Sequence, residues 1–380
     1  MRKRLYSLRP SLIGKVGGAV LAAALIQSCS SPVAPPAVPA GFANASAVRR
    51  PEDHTSMLKL LSKQVVIGST VDPISGDDNP YGLTVSNTTS GKVQKGDLLI
   101  CNFNAKSNVQ GTGRSVVALS PAPGSKPRRV AYGKWLKGCD ALAIGSDLRL
   151  WASDMVANNN PVFSTAGKLV ANLKGKPYDQ PWGQIYAQPK GGGEAVYYES
   201  NAGNGSIVRI GATSFATTVI ATGFPVNHGV PGTALAPSGL AYDASIDTLY
   251  FADGMNNTLV AIKNVSKIGT HGIKASANGM SFSGPNAADA RIVKAGKPFN
   301  GPLSTALLPN GNIIVGNTLN PDGKNLMIEV TPSGKILDVR NVDKGPAGAL
   351  FGIVATGSSD ANTKIYFNDD NDNNLQVLEK

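Results

Sequence analysis

The stretch at residues 236–262, APSGLAYDASIDTLYFADGMNNTLVAI, constrains the fold of this chain more than any other. It reads as two short strands, at residues 240–242 and 248–252, then a polar turn at 253–257 and a third strand at 258–262. Such a unit has an apolar face that it cannot bury alone, so it requires copies of itself as neighbours. Degraded copies recur along the chain. The first has strands at 80–85, 97–101 and 115–119, and the second at 139–144 and 148–152, with two more within 163–173. The third occupies 181–186, 195–198 and 206–210, and the stretch at 236–262 is the fourth. The fifth runs through 302–307, 312–315, 327–330 and 335–339, and the sixth through 350–354, 364–367 and 375–378. The copies stand about 43 to 65 residues apart, so the inserts belong in loops.

Composition agrees with many short strands joined by turns. Gly 43 and Pro 25 are abundant, charged residues make up only 16%, and no helical periodicity is sustained. The expected class is all-β. At 380 residues a single repeat-built domain is admissible.

The residues that recur give the fold its closest resemblance. Pro237, Gly239, Leu240 and Ala241, then Leu249-Tyr250-Phe251-Ala252-Asp253, then Asn256, Asn257, Leu259 and Val260 resemble the NHL repeat. The resemblance is strong in this copy, partial in the first, third and sixth and weak in the second and fifth, and together the copies cover roughly residues 63–380. It implies a six-bladed β-propeller with four-stranded blades, of a kind found among exported bacterial proteins, and it transfers no activity. The sixth copy ends after its third strand, two residues before the C-terminus, which would leave an unpaired edge. Residues 63–69, KQVVIGS, precede the first copy and have the length of the missing strand, so the N-terminal strand is expected to close the last blade. A monomer is expected. Residues 54–62, HTSMLKLLS, can form about two helical turns with Met57, Leu58 and Leu61 inward, as a plug or cap.

The N-terminus is a targeting segment rather than part of the fold. Arg2, Lys3, Arg4 and Arg9 precede an apolar core at 16–26, about eleven residues long, half of what a membrane-spanning helix requires. Export follows. Ile26-Gln27-Ser28-Cys29 resembles the bacterial lipoprotein cleavage box, although Gln27 departs from the usual small or aliphatic residue. The resemblance implies a signal peptide at 1–28, lipidation of Cys29 and, with Ser30 following, no retention at the inner membrane. The alternative is an ordinary signal peptide cut near Ala43-Asn44-Ala45, with Cys29 discarded. Residues 29–51, rich in Pro and Ala, would form an extended tether between a lipid anchor and a propeller at 52–380, in the periplasm or on the outer membrane.

The formal charge of +11 falls to +6 once the five basic residues of the targeting segment are removed. Lys126, Arg128, Arg129, Lys134 and Lys137 cluster, and the reading adopted for them is a solvated loop. No aromatic residues alternate with them as single-stranded nucleic-acid platforms require, so no nucleic-acid partner is expected.

In a propeller the starts of the inner strands and the ends of the second strands meet at one channel mouth. The copies place Tyr81, Asp140, Trp182, Ser238, Leu303 and Phe351 at inner-strand starts. Asn102, Asp154, Asn201, Asp253, Asn317 and Asp369 stand at second-strand ends. Stacking on Tyr81, Trp182 and Phe351 with hydrogen bonds from the amides and carboxylates could hold an unknown small molecule or a protein segment. Alternatively the aromatics plug the channel, and each Asn or Asp caps its own turn.

Related hydrolytic propellers, of the gluconolactonase and paraoxonase types, hold calcium with Asn and Asp at the mouth. Here the comparable positions are Tyr81, Trp182, Ser238, Leu303 and Phe351, which removes most of a cage of six to eight oxygens, and Asp140 alone does not replace it. Residues 369–374, DDNDNN, are dense in oxygen ligands but lack the glycine and closing Glu of a twelve-residue calcium loop. His54, His228 and His271 show no zinc-ligand spacing, and there is no G-x-S-x-G elbow. No cofactor is expected, with calcium the weak exception. Binding is therefore the expected role. A hydrolase or lyase acting at the same mouth, and an envelope scaffold using loops such as 269–300, are the alternatives. Cys101 and Cys139 should reach the same face of adjacent blades, either as a disulfide or as two buried thiols.

Overall fold

The computed structural model describes residues 52–189 and 192–380; the expected targeting segment, Cys29 and the expected tether lie outside them. Six small sheets, antiparallel but for one added pair, form a ring. The resulting fold is a six-bladed β-propeller.

The fourth blade shows why the sequence folds this way. Its inner strand is Pro237–Asp243, its second Thr248–Asp253, its third Thr258–Ile262 and its outer Ala290–Ala295. Every residue of the second and third strands is buried, because a blade is covered on both faces by its neighbours. That double cover explains why LYFA and TLVAI read as apolar runs rather than as an alternation. The same holds for Leu98–Asn104 and Ser115–Leu119 in the first blade and for Ile313–Asn317 in the fifth. One apolar cluster fills each space between blades; between the fourth and fifth, Tyr250 and Leu259 meet Ile313, Val315 and Ile328.

Two features of the repeat now have physical reasons. A Cβ on Gly239 would lie 2.6 Å from Leu303 O and 2.8 Å from Ser304 Cα, so only glycine lets the fourth and fifth inner strands approach this closely. Gly183 stands in the same relation to the backbone of Ser238. The turn before the third strand ends on a residue with positive φ, Asn158, Gly205, Asn257 and Asn373 in four of the blades, the residue types that adopt this conformation most readily.

The ring closes as the sequence implies. Lys63–Ser69 pairs antiparallel with Asn374–Glu379, Lys63 opposite Glu379 and Ser69 opposite Asn374, and becomes the outer strand of the sixth blade. The last blade thus joins both ends of the propeller, and its third strand has no free edge. The helical segment is shorter than expected, a single turn at Met57–Leu60, but Met57, Leu58 and Leu61 are inward and packed against the fifth and sixth blades. Buried Glu329 fixes it there, accepting from Leu58 N–H at 2.8 Å and Ser56 Oγ at 2.9 Å. The turn therefore caps a blade interface rather than the channel.

Two expectations are corrected. Residues 269–300 are not a free loop. Ile273–Ala275 pairs in parallel with Thr217–Thr222 and forms a short hairpin with Phe282–Ser283, extending the third blade to six strands, and Ala290–Ala295 completes the fourth. The basic cluster is a solvated loop only in part: Lys126, Lys134 and Lys137 are exposed between strands. Arg128 and Arg129 belong to the outer strand Arg128–Tyr132, and their guanidinium groups are held by Asp97 and Asp72 at 2.7 and 2.6 Å. Outer strands are half exposed, so their weak apolar pattern is easily missed.

Candidate functional site: a filled channel beneath a loop-covered mouth

Inner-strand starts and second-strand ends do meet on one face. Pro80 pairs with Asn102, Cys139 with Asp154, Pro181 with Asn201, Pro237 with Asp253 and Pro302 with Asn317. The aromatics that follow these starts converge on the axis. Tyr81 is stacked between Phe103 and Phe351, with ring centroids 4.1 and 3.5 Å away, and Trp182 lies 6.5 Å from Phe351. Phe103, one residue beyond Asn102, was not singled out from the sequence; its place in a fully buried strand hid it. Tyr81, Trp182 and Leu303 are buried, and Met155, Ala234 and Ala236 complete an apolar plug.

Beneath the plug the inner strands enclose a cavity of about 50 Å³, lined by Asp140, Gln184, Leu303, Thr305 and Phe351 among others. Small-molecule pockets begin at about 300 Å³. The space expected to receive a ligand among Tyr81, Trp182 and Phe351 is thus occupied by those side chains themselves. Loops close over them as well. A Cβ on Gly232 would lie 3.6 Å from the Tyr81 hydroxyl, and one on Gly111 would lie 3.5 Å from Pro231.

The second-strand residues are equally enclosed. Asn102, Asp154, Asn201, Asp253, Asn317 and Asp369 are each at most 1% exposed. Most of them clamp the connection arriving from the preceding blade. Asn201 accepts from Asp179 N–H at 3.1 Å and donates to Pro177 O; Asn317 accepts from Asn300 N–H at 3.2 Å and donates to Pro298 O at 2.7 Å. Asp154 accepts from Lys137 N–H at 2.5 Å in the corresponding place, and Asn102 donates to Thr70 O at 3.0 Å. Asp253 instead caps its own turn through Met255 N–H and Asn256, and Asp369 accepts from Gln376 Nε2 at 2.6 Å.

Burial sets the charge state of this layer. It pushes Asp154 up to about 8 despite the Lys137 N–H, and it raises Asp140 well above the usual carboxylate range, with neighbouring Asp154 adding to the effect. Asp370 is pushed up to about 8, first by burial and then by Asp369 and Asp78, and Asp369 to about 6 for similar reasons. Among the described residues no three His, Cys, Asp or Glu side chains converge as a metal group. Within the 369–374 run, Asp369 accepts from Gln376 and Asp370 from the Asn79 amide, while Asp369 Oδ1 and Asn374 Oδ1 are buried without a hydrogen-bond partner.

Cys101 and Cys139 form a disulfide that joins the second strand of the first blade to the inner strand of the second. A cleft of about 950 Å³ lies on the opposite face between the fourth and fifth blades, where Glu52, Asp243, Arg291 and Asn310 line it. Nothing in the repeat pattern marks it, because it is made by turns rather than by recurring residues.

The architecture is shared with known propellers. The chain is similar to a gluconolactonase candidate from structural genomics (TM-score 0.53, 10% identity, covering 83% of this chain and 91% of that one). It is also similar to a chain of a nidogen–laminin complex (0.52, 12%, 78% and 98%). A third similar structure is virginiamycin B lyase from Staphylococcus aureus (0.50, 15%, 84% and 99%). At these identities the likeness is one of fold alone. No family model matches the chain, the NHL repeat included, and no curated protein matches it in sequence.

Proposed function

We propose that this chain is an exported, lipid-anchored binding propeller of the NHL type that engages its partner across the loops of the mouth face rather than inside the channel. One observation carries the reading: the Tyr81, Phe103 and Phe351 stack fills the mouth and leaves only about 50 Å³ below it. Binding must then use what stands above the plug. There, Ile74 (72% exposed), Val230 (68%) and Val109 (56%) are the most exposed large apolar side chains among the described residues. Binding is favoured over catalysis because Asp140, the carboxyl group that lines the cavity below the plug, is buried. The basic n-region, the short apolar core and the Ser28-Cys29 junction support export and a lipid anchor.

The test is photocrosslinking in an exporting host, with a photoreactive side chain at Val109, Val230 or, on the opposite face, Ile246. Adducts should form from positions 109 and 230 and not from 246. Tyr81→Ala should cost about 3–5 kcal/mol of stability as a large-to-small core change and leave the adducts unaltered. A Tyr81→Ala protein of unchanged stability that had lost its adducts would return the site to the channel. Equal crosslinking from position 246 would remove the mouth face from consideration.

A further inference from the structure

We infer that the partner of the mouth face is an anionic lipid bilayer; this rests on the mouth-face reading above. Three independent features point there. The first is a cation that recurs with the blades. The connections Gly133-Lys134-Trp135, Gly175-Lys176-Pro177 and Gly296-Lys297-Pro298 each put a lysine just past an outer strand, and Lys344 follows the outer strand Ile336–Asp343 in the same way. All four are exposed, and none has an ion-pair partner among the described residues. Because each blade delivers its outer strand to the mouth face, the four ammonium groups stand around the rim of that face. A bilayer can meet all of them at once, each contributing attraction to anionic headgroups.

The second feature is aliphatic. Val109 and Val230 belong to loops in mutual contact, since a Cβ on Gly111 would touch Pro231 and one on Gly232 would lie 2.8 Å from Gln110 Oε1. The loop bearing Ile74 reaches the same group, as a Cβ on Gly76 would lie 3.0 Å from the Lys106 side chain. Three highly exposed aliphatic tips inside a cationic rim are suited to the headgroup–acyl boundary. A glycan chain would call for exposed aromatic faces instead. The third is Trp135, half-exposed on a rim connection, a residue type enriched at the membrane interface.

Lysines also decorate the opposite face, Lys168, Lys263 and Lys335 among them, so the experiment must separate position from net charge. The unit at Ala47–Lys380, which contains the closing strand, is mixed with vesicles of phosphatidylethanolamine bearing about 30% phosphatidylglycerol, and with neutral phosphatidylcholine vesicles, and bound protein is measured by flotation. Binding should be confined to the anionic vesicles and fall steeply as salt rises from about 0.05 to 0.5 M. Reversing Lys134, Lys176, Lys297 and Lys344 to Glu should weaken it at least about a hundredfold. Reversing Lys168, Lys263 and Lys335 should change it less than about tenfold, and Val109→Ser with Val230→Ser should weaken it about tenfold. Equal loss from the opposite-face set, or equal binding to neutral vesicles, overturns the inference. Mouth-face crosslinks to a protein or glycan, with no flotation, also overturn it while leaving the mouth-face reading intact. Absence of crosslinks from positions 109 and 230 counts against that reading itself.

Discussion

Replacing Asp154 with asparagine tests whether the clamp layer carries protons rather than charge. In the folded protein burial pushes this carboxyl up to about 8, whereas in the unfolded chain it returns to about 3.9. Between those values the native state holds a proton that the unfolded state has released. Stability from this group is therefore full below about pH 4, is lost as pH rises, and levels off above about pH 8. The slope is about 1.4 kcal/mol per pH unit, so about 3 kcal/mol disappears between pH 5 and pH 7. Asparagine does not titrate, and the third and fifth blades already use Asn201 and Asn317 to accept the corresponding connector N–H. Asp154→Asn should thus gain on the wild type by about 3 kcal/mol between pH 5 and pH 7. Urea unfolding at pH 5, 6, 7 and 8 measures this directly, provided the m-values agree. Raised groups that do not interact with Asp154, such as Asp370, occur in both proteins and cancel in the difference. A stability difference that stays constant across this range would refute a protonated Asp154.

Two further outcomes follow from closure and cross-linking. The Cys101–Cys139 disulfide spans 38 residues of sequence, so Cys101→Ser with Cys139→Ser should lower the unfolding free energy by about 4 kcal/mol in the chain-entropy model; a loss under about 1 kcal/mol would contradict it. Deleting residues 52–69 should expose the Asn374–Glu379 edge and give concentration-dependent self-association in sedimentation velocity, reversed by a peptide of the Lys63–Ser69 sequence; a monomer of unchanged melting temperature would show that closure does not depend on this strand.

The sequence by itself determined the number of blades, their second and third strands and the closing strand. These signals are local: a doubly covered strand must be apolar throughout, and a short sixth copy needs a partner for its edge. It also brought Tyr81, Trp182 and Phe351 to one mouth, because repeat register alone fixes which end of each strand faces the axis. The outer strands at Thr217–Thr222 and Ala290–Ala295 were illegible, since partial exposure relaxes the apolar pattern and a long insert separates the latter from its blade. Only the tertiary structure decided whether the aromatics surround a pocket or fill one, as that depends on interplanar contacts of a few ångströms and on Phe103 arriving from behind. Only it could distinguish Asn201 and Asn317, which clamp the incoming connection, from Asp253, which caps its own turn. The same residue type at the same repeat position does different work according to which backbone groups its neighbours leave unpaired, and that is set by the assembled ring.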